Sequence, residues 1–391
     1  MSSEILISNI QLKNDNGINE LSATINGDII YFRVPEEYKL YPVAEGFIAM
    51  ALLEAMYTNQ PIVVEESTPV SKKLHESLEE LQAIYASWNR ELNIVDIRGE
   101  ITTDVIDFER IGSFFSAGVD SSHTLVNNKD DISHLIMCWG FDGGNDQESW
   151  DKRIAAQTVF AESIGKKLLP VVTNAREWTD KKLISWTMAH GLFLSSVGGL
   201  LGMKRVYIPA SHTYNELFPW GTHVLSDPMW STESTEVIHH GAGARRSEKV
   251  RDIIDDKAIA DNLQVCWRGI HENCGTCSKC IRTMISIDLL GVSTKALPPL
   301  QDSTPLSVLK PTDDGMASVL EDLVILAKEK NKTHIYVQLK KYYKWYQINK
   351  LWPEIDRWFL GGFFRRTYRK IKKPNWLKWR VTMKGSDSWD F

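Results

Sequence analysis

The chain has no run of about twenty apolar residues, the length a membrane-spanning helix requires. Its longest candidate, Gly191 to Met203, is too short, so no transmembrane segment is expected. The opening Met-Ser-Ser-Glu-Ile-Leu lacks the basic region and apolar core of a secretory signal, and a cytoplasmic location is the corresponding expectation. No G-x-x-x-x-G-K-[ST] sequence occurs, which excludes the Walker type of phosphate loop. Cysteine is scarce, with five in 391 residues, and a cytoplasmic chain has little use for disulfides.

What is present is the balance of a soluble globular protein, 43% apolar and 24% charged. The length suggests two or three domains with ample core. The net charge of −5 conceals a division: residues 331–391 carry 15 Lys and Arg against 4 Asp and Glu, a net +11, which leaves −16 for the rest. The basic end is a separate electrostatic unit.

Residues 1–104 read as a small α+β domain. Ile5 to Leu12 and Leu21 to Val34 alternate apolar and polar residues around Asn-Gly pairs at 16–17 and 26–27, which predicts hairpins. Helices are expected from Ala44 to Tyr57 and from Ser71 to Asn89. No chemistry is evident there.

Residues 105–296 alternate strand and helix signals. Strands are expected at Ile111–Phe115, His134–Trp139, Lys167–Val172, Arg205–Ile208 and Glu236–Ile238. Asp146 or Ser149 should cap a helix ending near Gly165, and Asp180 one ending near Gly202. This alternation predicts an α/β fold with a doubly wound, mostly parallel sheet. The first strand runs into Ser116-Ala117-Gly118-Val119-Asp120-Ser121, followed by a helix expected from Ser121. A strand, a turn of small residues and a helix N-terminus converge backbone N–H groups on one point, which attracts phosphate. Asp120 beside a polyphosphate calls for a bridging Mg²⁺.

That stretch resembles the S-G-G-x-D-S loop of the PP-loop ATP pyrophosphatases, with Ala117 in place of the first glycine. The resemblance implies that Ser116, Ala117, Gly118, Val119, Asp120 and Ser121 bind the pyrophosphate of ATP. It also implies that adenine lies along the end of the second strand, where Trp139 or Phe141 can stack on it. Ser211 and His212 fall at the C-terminal end of the fourth strand, on the ligand side of such a sheet. A long aromatic loop follows, from Tyr214 to Ser231, and reads as an ordered substrate wall; His212 and His223 are candidate functional groups. Beyond the fifth strand, Arg245, Arg246 and Lys249 lie at the start of a basic helix within an acidic region. Cations there can neutralise charge developing on pyrophosphate.

Four of the five cysteines, Cys266, Cys274, Cys277 and Cys280, fall within fifteen positions as C-x7-C-x2-C-x2-C. Overlapping C-x2-C steps bring thiolates into one knuckle, and four sulfur ligands suit a structural Zn²⁺. An iron–sulfur cluster has compatible spacing. With Gly275 after the second cysteine and Arg282 past the fourth, the knuckle resembles that of the 7-cyano-7-deazaguanine synthases, a PP-loop family. The likeness covers residues 110–292 and neither flank, and it does not extend to the Tyr214–Asp227 loop.

Residues 297–391 open with a linker-like stretch to Pro311, then a helix from Asp313 to Lys330. The rest interleaves Lys and Arg with Tyr342, Tyr343, Trp345, Tyr346, Trp352, Trp358, Phe359, Phe363, Phe364, Tyr368, Trp376 and Trp379. Such a pattern suits RNA, a membrane surface, an acidic partner, or packing on the second domain. The PP-loop resemblance implies an ATP-dependent, AMP-forming ligase using ATP, Mg²⁺ and Zn²⁺. Its acceptor would be a small molecule, peptide or protein, and the chain a possible homodimer. An RNA-modifying enzyme and a non-catalytic nucleotide-binding subunit are the alternatives.

Overall fold

Asn16-Gly17 and Asn26-Gly27 all take left-handed backbone, which a two-residue type I′ hairpin turn requires. They join β1 (Ile5–Asp15), β2 (Ile18–Ile25) and β3 (Asp28–Pro35) into an antiparallel meander. The computed structural model describes residues 4–140, 146–266, 272–312 and 314–361, together with 363, 367, 380 and 381. Phe141, Phe364, Tyr368, Trp376 and Trp379, named above, lie outside the described residues.

After the meander come α1 (Glu45–Thr58), β4 (Ile62–Val64), β5 (Val70–Ser71), α2 (Lys72–Trp88), β6 (Ile97–Arg98) and β7 (Ile101–Thr102). The alternating segment follows as β8 (Arg110–Phe114), α3 (Val119–Asn127), β9 (His134–Trp139), α4 (Gln147–Ser163), β10 (Lys167–Thr173), α5 (Ala175–Lys181), α6 (Trp186–Leu200), β11 (Met203–Pro209) and β12 (Glu236–His240). Helices follow among the described residues: α7 (Arg246–Ile254), α8 (Lys257–Asp261), α9 (Ser278–Leu290), α10 (Asp314–Glu329), α11 (Thr333–Asn349) and α12 (Leu351–Leu360).

Ten strands form one mostly parallel sheet in the order β12-β11-β8-β9-β10-β3-β2-β1-β4-β6. Its parallel half, β12 to β10, reverses direction of travel between β8 and β11: the chain first winds outward through β9 and β10, then returns to β11 on the other side. Open α/β sheets bind ligands at such a reversal, outside the carboxyl ends of the strands.

Alternate residues of each strand feed opposite layers. Ile136, Leu169, Val206 and Ile208 join the core beneath α1 and α6. Leu135, Met137, Leu168 and Tyr207 join the core beneath α3, α4, α7 and α9. Both faces of the parallel half of the sheet are therefore covered, as a near-continuous apolar run in a parallel strand requires.

Residues 1–104 extend this sheet rather than standing off from it. β3 pairs antiparallel with β10 through Arg33–Val172 and Phe32–Thr173. The core that holds Ile7, Leu21 and Phe32 also holds Leu192, Leu200 and Val206. At Gly46 a Cβ would stand 2.3 Å from Leu200 Cδ2, so α1 crosses α6 at a distance that only glycine permits.

One helix reading is corrected. Asp180 caps nothing: it lies inside α5, 3.5 Å from Arg176, and a new helix, α6, starts after Ser185. The break comes from Leu183, whose φ of 58° cannot continue a helix. The helix after the loop also begins earlier than expected, at Val119 rather than Ser121.

The basic end is partly core. α10 and α11 share a cluster with α9 through Ile281, Ile285, Leu320, Leu323, Ile335 and Leu339. Val381 is fully buried against the main core; its carbonyl accepts the Ser185 N–H at 2.8 Å, and it bridges Ile184. Val381→Asp should therefore destabilise the protein by about 3 kcal/mol, the cost of burying an unpaired charge being what the core must avoid. Urea unfolding would measure it, and a change below about 0.5 kcal/mol would show that this segment is not part of the core.

Candidate functional site

The loop after β8 is built on a strained residue. Ala117 has φ +57° and is fully buried, in a backbone region that costs a non-glycine residue roughly 1–2 kcal/mol. Its carbonyl accepts the Gln264 N–H at 2.8 Å, which ties it to the chain just before the knuckle. Gly118, in extended conformation, is the N-cap of α3. The first-turn amides of α3 have no intrahelical partner by helix geometry.

The two loop hydroxyls close on each other. Ser116 Oγ lies 3.3 Å from Ser121 Oγ and accepts the Gly118 N–H at 3.3 Å. Ser121 Oγ accepts the Ser116 N–H at 3.2 Å. Arg153 of α4, which no sequence signal singled out, donates to the Ser116 carbonyl at 3.0 Å.

Asp120 is the centre of the site. Arg246 Nη1 donates to Oδ2 at 3.2 Å and Lys249 Nζ to Oδ1 at 3.0 Å. Lys249 is 2% exposed, and its Nζ also donates to the Ala210 carbonyl at 2.6 Å, at the end of β11. One lysine thus spans the reversal point of the sheet. Burial opposes the Asp120 charge, but Lys249 and Arg246 outweigh it and hold the carboxyl well below the usual carboxylate range.

A third cation acts on the same group. Arg282, on α9, is pushed down to about 9, first by burial and then by the like charge of Arg246, against the pull of Asp120. The Nε atoms of Arg246 and Arg282 are both buried with no hydrogen-bond partner. Both guanidiniums line a narrow crevice with Thr283, Ser286 and Asp322. Three cations thus gather around the Asp120 carboxylate, and Asp322 lines the same crevice as two of them.

Other sequence candidates are distributed less evenly. Arg245 is exposed at the N-cap of α7, where its N–H donates to Glu248. Ser211 is exposed just past β11. Trp139 stacks on Trp150 at 5.8 Å and 19°, so one face of its indole is already covered. His212 packs against Phe218 and Trp220, with ring centroids 4.4 and 5.7 Å away. Phe218 and Trp220 also pack on each other at 5.9 Å, so the aromatic loop is internally packed here. His223 turns inward: its N–H and the His239 ring both bond the buried Asp227, and Trp88 of α2 packs on it edge-on.

The four knuckle sulfurs lie within 4.8 Å of one another. Cys266–Cys277 is 3.8 Å and Cys274–Cys280 is 3.9 Å, far beyond a disulfide bond. Tetrahedral sulfurs about 2.3 Å from a central zinc stand about 3.8 Å apart. The cage fits one ion and leaves no room for a cluster of several irons. Asn273 braces it: Oδ1 accepts the Val265 and Cys266 N–H groups, and Nδ2 donates to Leu263 and Ala296. Gly275 at φ +67° faces Pro298, whose Cγ would be 2.9 Å from a Cβ. Cys277 caps α9, and α9 carries Arg282. The knuckle can hold a metal ion such as zinc.

Purified protein should contain close to one zinc per chain by elemental analysis. Cys280→Ser should cost more than about 3 kcal/mol or abolish soluble expression, because metal binding of this kind is folding free energy. A metal-free, fully stable protein would refute this.

Burial lowers His212, His240 and His134 to about 4, against roughly 6.5 in an unfolded chain. The unfolded chain then binds more protons between those values, so stability is complete above about 6.5 and falls as pH drops towards 4. Glu45, raised to about 7 by burial, acts in the opposite sense but is outnumbered. The melting temperature should be several degrees lower at pH 5 than at pH 7, with a shallower slope in His240→Asn. A flat profile would count against the buried neutral histidines.

Compared with protein-family models, with curated proteins and with solved structures, the chain matches none.

Proposed function

We propose that the chain is an ATP-dependent, AMP-forming ligase of the PP-loop type. The carrying observation is the cluster of Arg246, Lys249 and Arg282 around Asp120, set where β8 passes through its loop into α3. A polyphosphate is the anion that suits both the cations and the unpaired amides of a helix N-terminus.

In this reading Ser116, Gly118, Val119 and Ser121 cradle the β- and γ-phosphates. Asp120 is the group that would hold Mg²⁺, exchanging its present cation partners for it. Arg246 and Lys249, so released, meet the pyrophosphate together with Arg282. An acceptor oxygen, from a carboxylate or amide, attacks the α-phosphorus; the α–β bridging bond breaks and pyrophosphate leaves. A nitrogen nucleophile then attacks the acceptor carbon, AMP departs with the bond electrons, and the nitrogen loses its proton to solvent. The cations supply transition-state stabilisation at the leaving pyrophosphate. The wall of His212, Phe218 and Trp220 would flank a small-molecule or peptide acceptor. His212, kept neutral near pH 7 by burial, adds no further charge. The knuckle, as a structural zinc site, keeps α9 and therefore Arg282 in position.

The test is nucleotide binding by thermal shift with Mg²⁺-ATP, followed by product analysis with candidate acids and amines. AMP and pyrophosphate are expected, with Asp120→Asn and Arg282→Met each lowering turnover about a hundredfold. Formation of ADP, or wild-type turnover in both variants, would overturn the assignment.

A further inference from the structure

α11 is a helix with two faces. Ile335, Leu339 and Tyr346 recur at spacings of four and seven and are buried, the first two in the cluster with α10 and Tyr346 with its hydroxyl on Asp314 at the start of α10. On the opposite side of the wheel, Val337, Lys341, Lys344 and Ile348 are all exposed. α12 continues the exposed surface. Leu351, Trp352, Ile355, Trp358 and Phe359 fall within about 120° of one another at about 100° per residue, and every one is exposed. Trp358 is 75% exposed and Phe359 82%, which is nearly the exposure of an unfolded side chain.

This is not the ordinary scatter of surface apolar residues. Among the described residues every exposed Trp and Phe lies between 345 and 363, whereas the exposed large apolar residues elsewhere are aliphatic apart from Tyr214. Contiguous exposure of this kind marks a contact surface. The charge says what it contacts. Lys341 and Lys344 are on the exposed face, Asp356 is turned inward and buried, and residues 361–380 contain eight Lys and Arg with no Asp or Glu. Stacked bases would use the aromatic rings but would gain nothing from Val337, Ile348, Leu351 and Ile355 in the same stripe. A lipid interface uses all of them: indole and phenyl rings at headgroup depth, aliphatic chains below, and ammonium groups on anionic headgroups.

We propose that α11 and α12 form a docking face for an anionic lipid surface, on which the protein lies without inserting a span. The acidic remainder of the chain, −16 outside residues 331–391, is repelled by the same surface, which favours this face turning towards it.

The experiment is flotation of the full chain with vesicles of phosphatidylcholine alone and of phosphatidylcholine mixed with phosphatidylserine. Binding is expected to the mixed vesicles, weakened by added salt, and little to the neutral ones. The double variant Trp358→Ser/Phe359→Ser should lower the vesicle-bound fraction about tenfold or more, with an unchanged melting temperature because both residues are exposed. Lys341→Glu/Lys344→Glu should lower binding to the mixed vesicles alone. Absence of binding to anionic vesicles overturns the proposal. So does binding that both variants leave intact. Binding of single-stranded RNA without vesicle binding would assign the face to nucleic acid instead.

Discussion

The Asp120 carboxylate, shared between Arg246 and Lys249, ties the loop after β8 to the helix beyond β12. It links α3 to α7 directly, and through Lys249 it reaches the end of β11. A buried ion pair contributes little net stability against a hydrophobic replacement, but removing one partner typically costs 3–5 kcal/mol. Arg282 adds a third positive charge near the same carboxylate, on the side where Asp322 and the knuckle lie.

The local backbone is set to the same end. Ala117 is held left-handed at φ +57° by its bond from Gln264 and by complete burial. Strain of this kind persists only where the surroundings over-determine it. Behind the cations, Asp322 of α10 accepts both the N–H and the hydroxyl of Ser247, at 2.8 and 2.6 Å. The residue between Arg246 and Glu248 is thus fixed from the far side by the first helix of the C-terminal region. Burial raises the Asp322 carboxyl while Ser247 partly offsets it.

Much of this was legible in the sequence. The five parallel strands announced themselves as short apolar runs, the hairpins as Asn-Gly pairs, and the knuckle as clustered cysteines. Each is a local pattern with a local cause. What escaped depends on contacts distant in sequence. Nothing in residues 28–35 states that their outer edge will meet β10. Leu183 has no composition that predicts a left-handed turn; its partner at residue 381 lies far along the chain. Arg282 stood beside the knuckle in the sequence, and only the course of α9 brings it to Asp120. Arg245 and Arg246 are adjacent in sequence and were indistinguishable there. The helix start separates them, sending one to solvent and one to the carboxylate.

The junction of β3 with β10 also shapes how the molecule is assembled. The meander closes through turns of two residues and can form on a microsecond scale. Its outer strand then waits. The Tyr31 N–H finds its acceptor in Asn174 across 143 positions, and the loop between them must be closed before the two halves of the sheet share a core. Until then β3 presents an unpaired edge with Ile30 and Phe32 uncovered, a template for pairing with another chain. Refolding at high protein concentration therefore competes with intermolecular strand addition at this edge, and dilution favours the native route. A sheet made continuous by one antiparallel seam gains a core shared by both halves on one face and is most prone to aggregate while that seam is open.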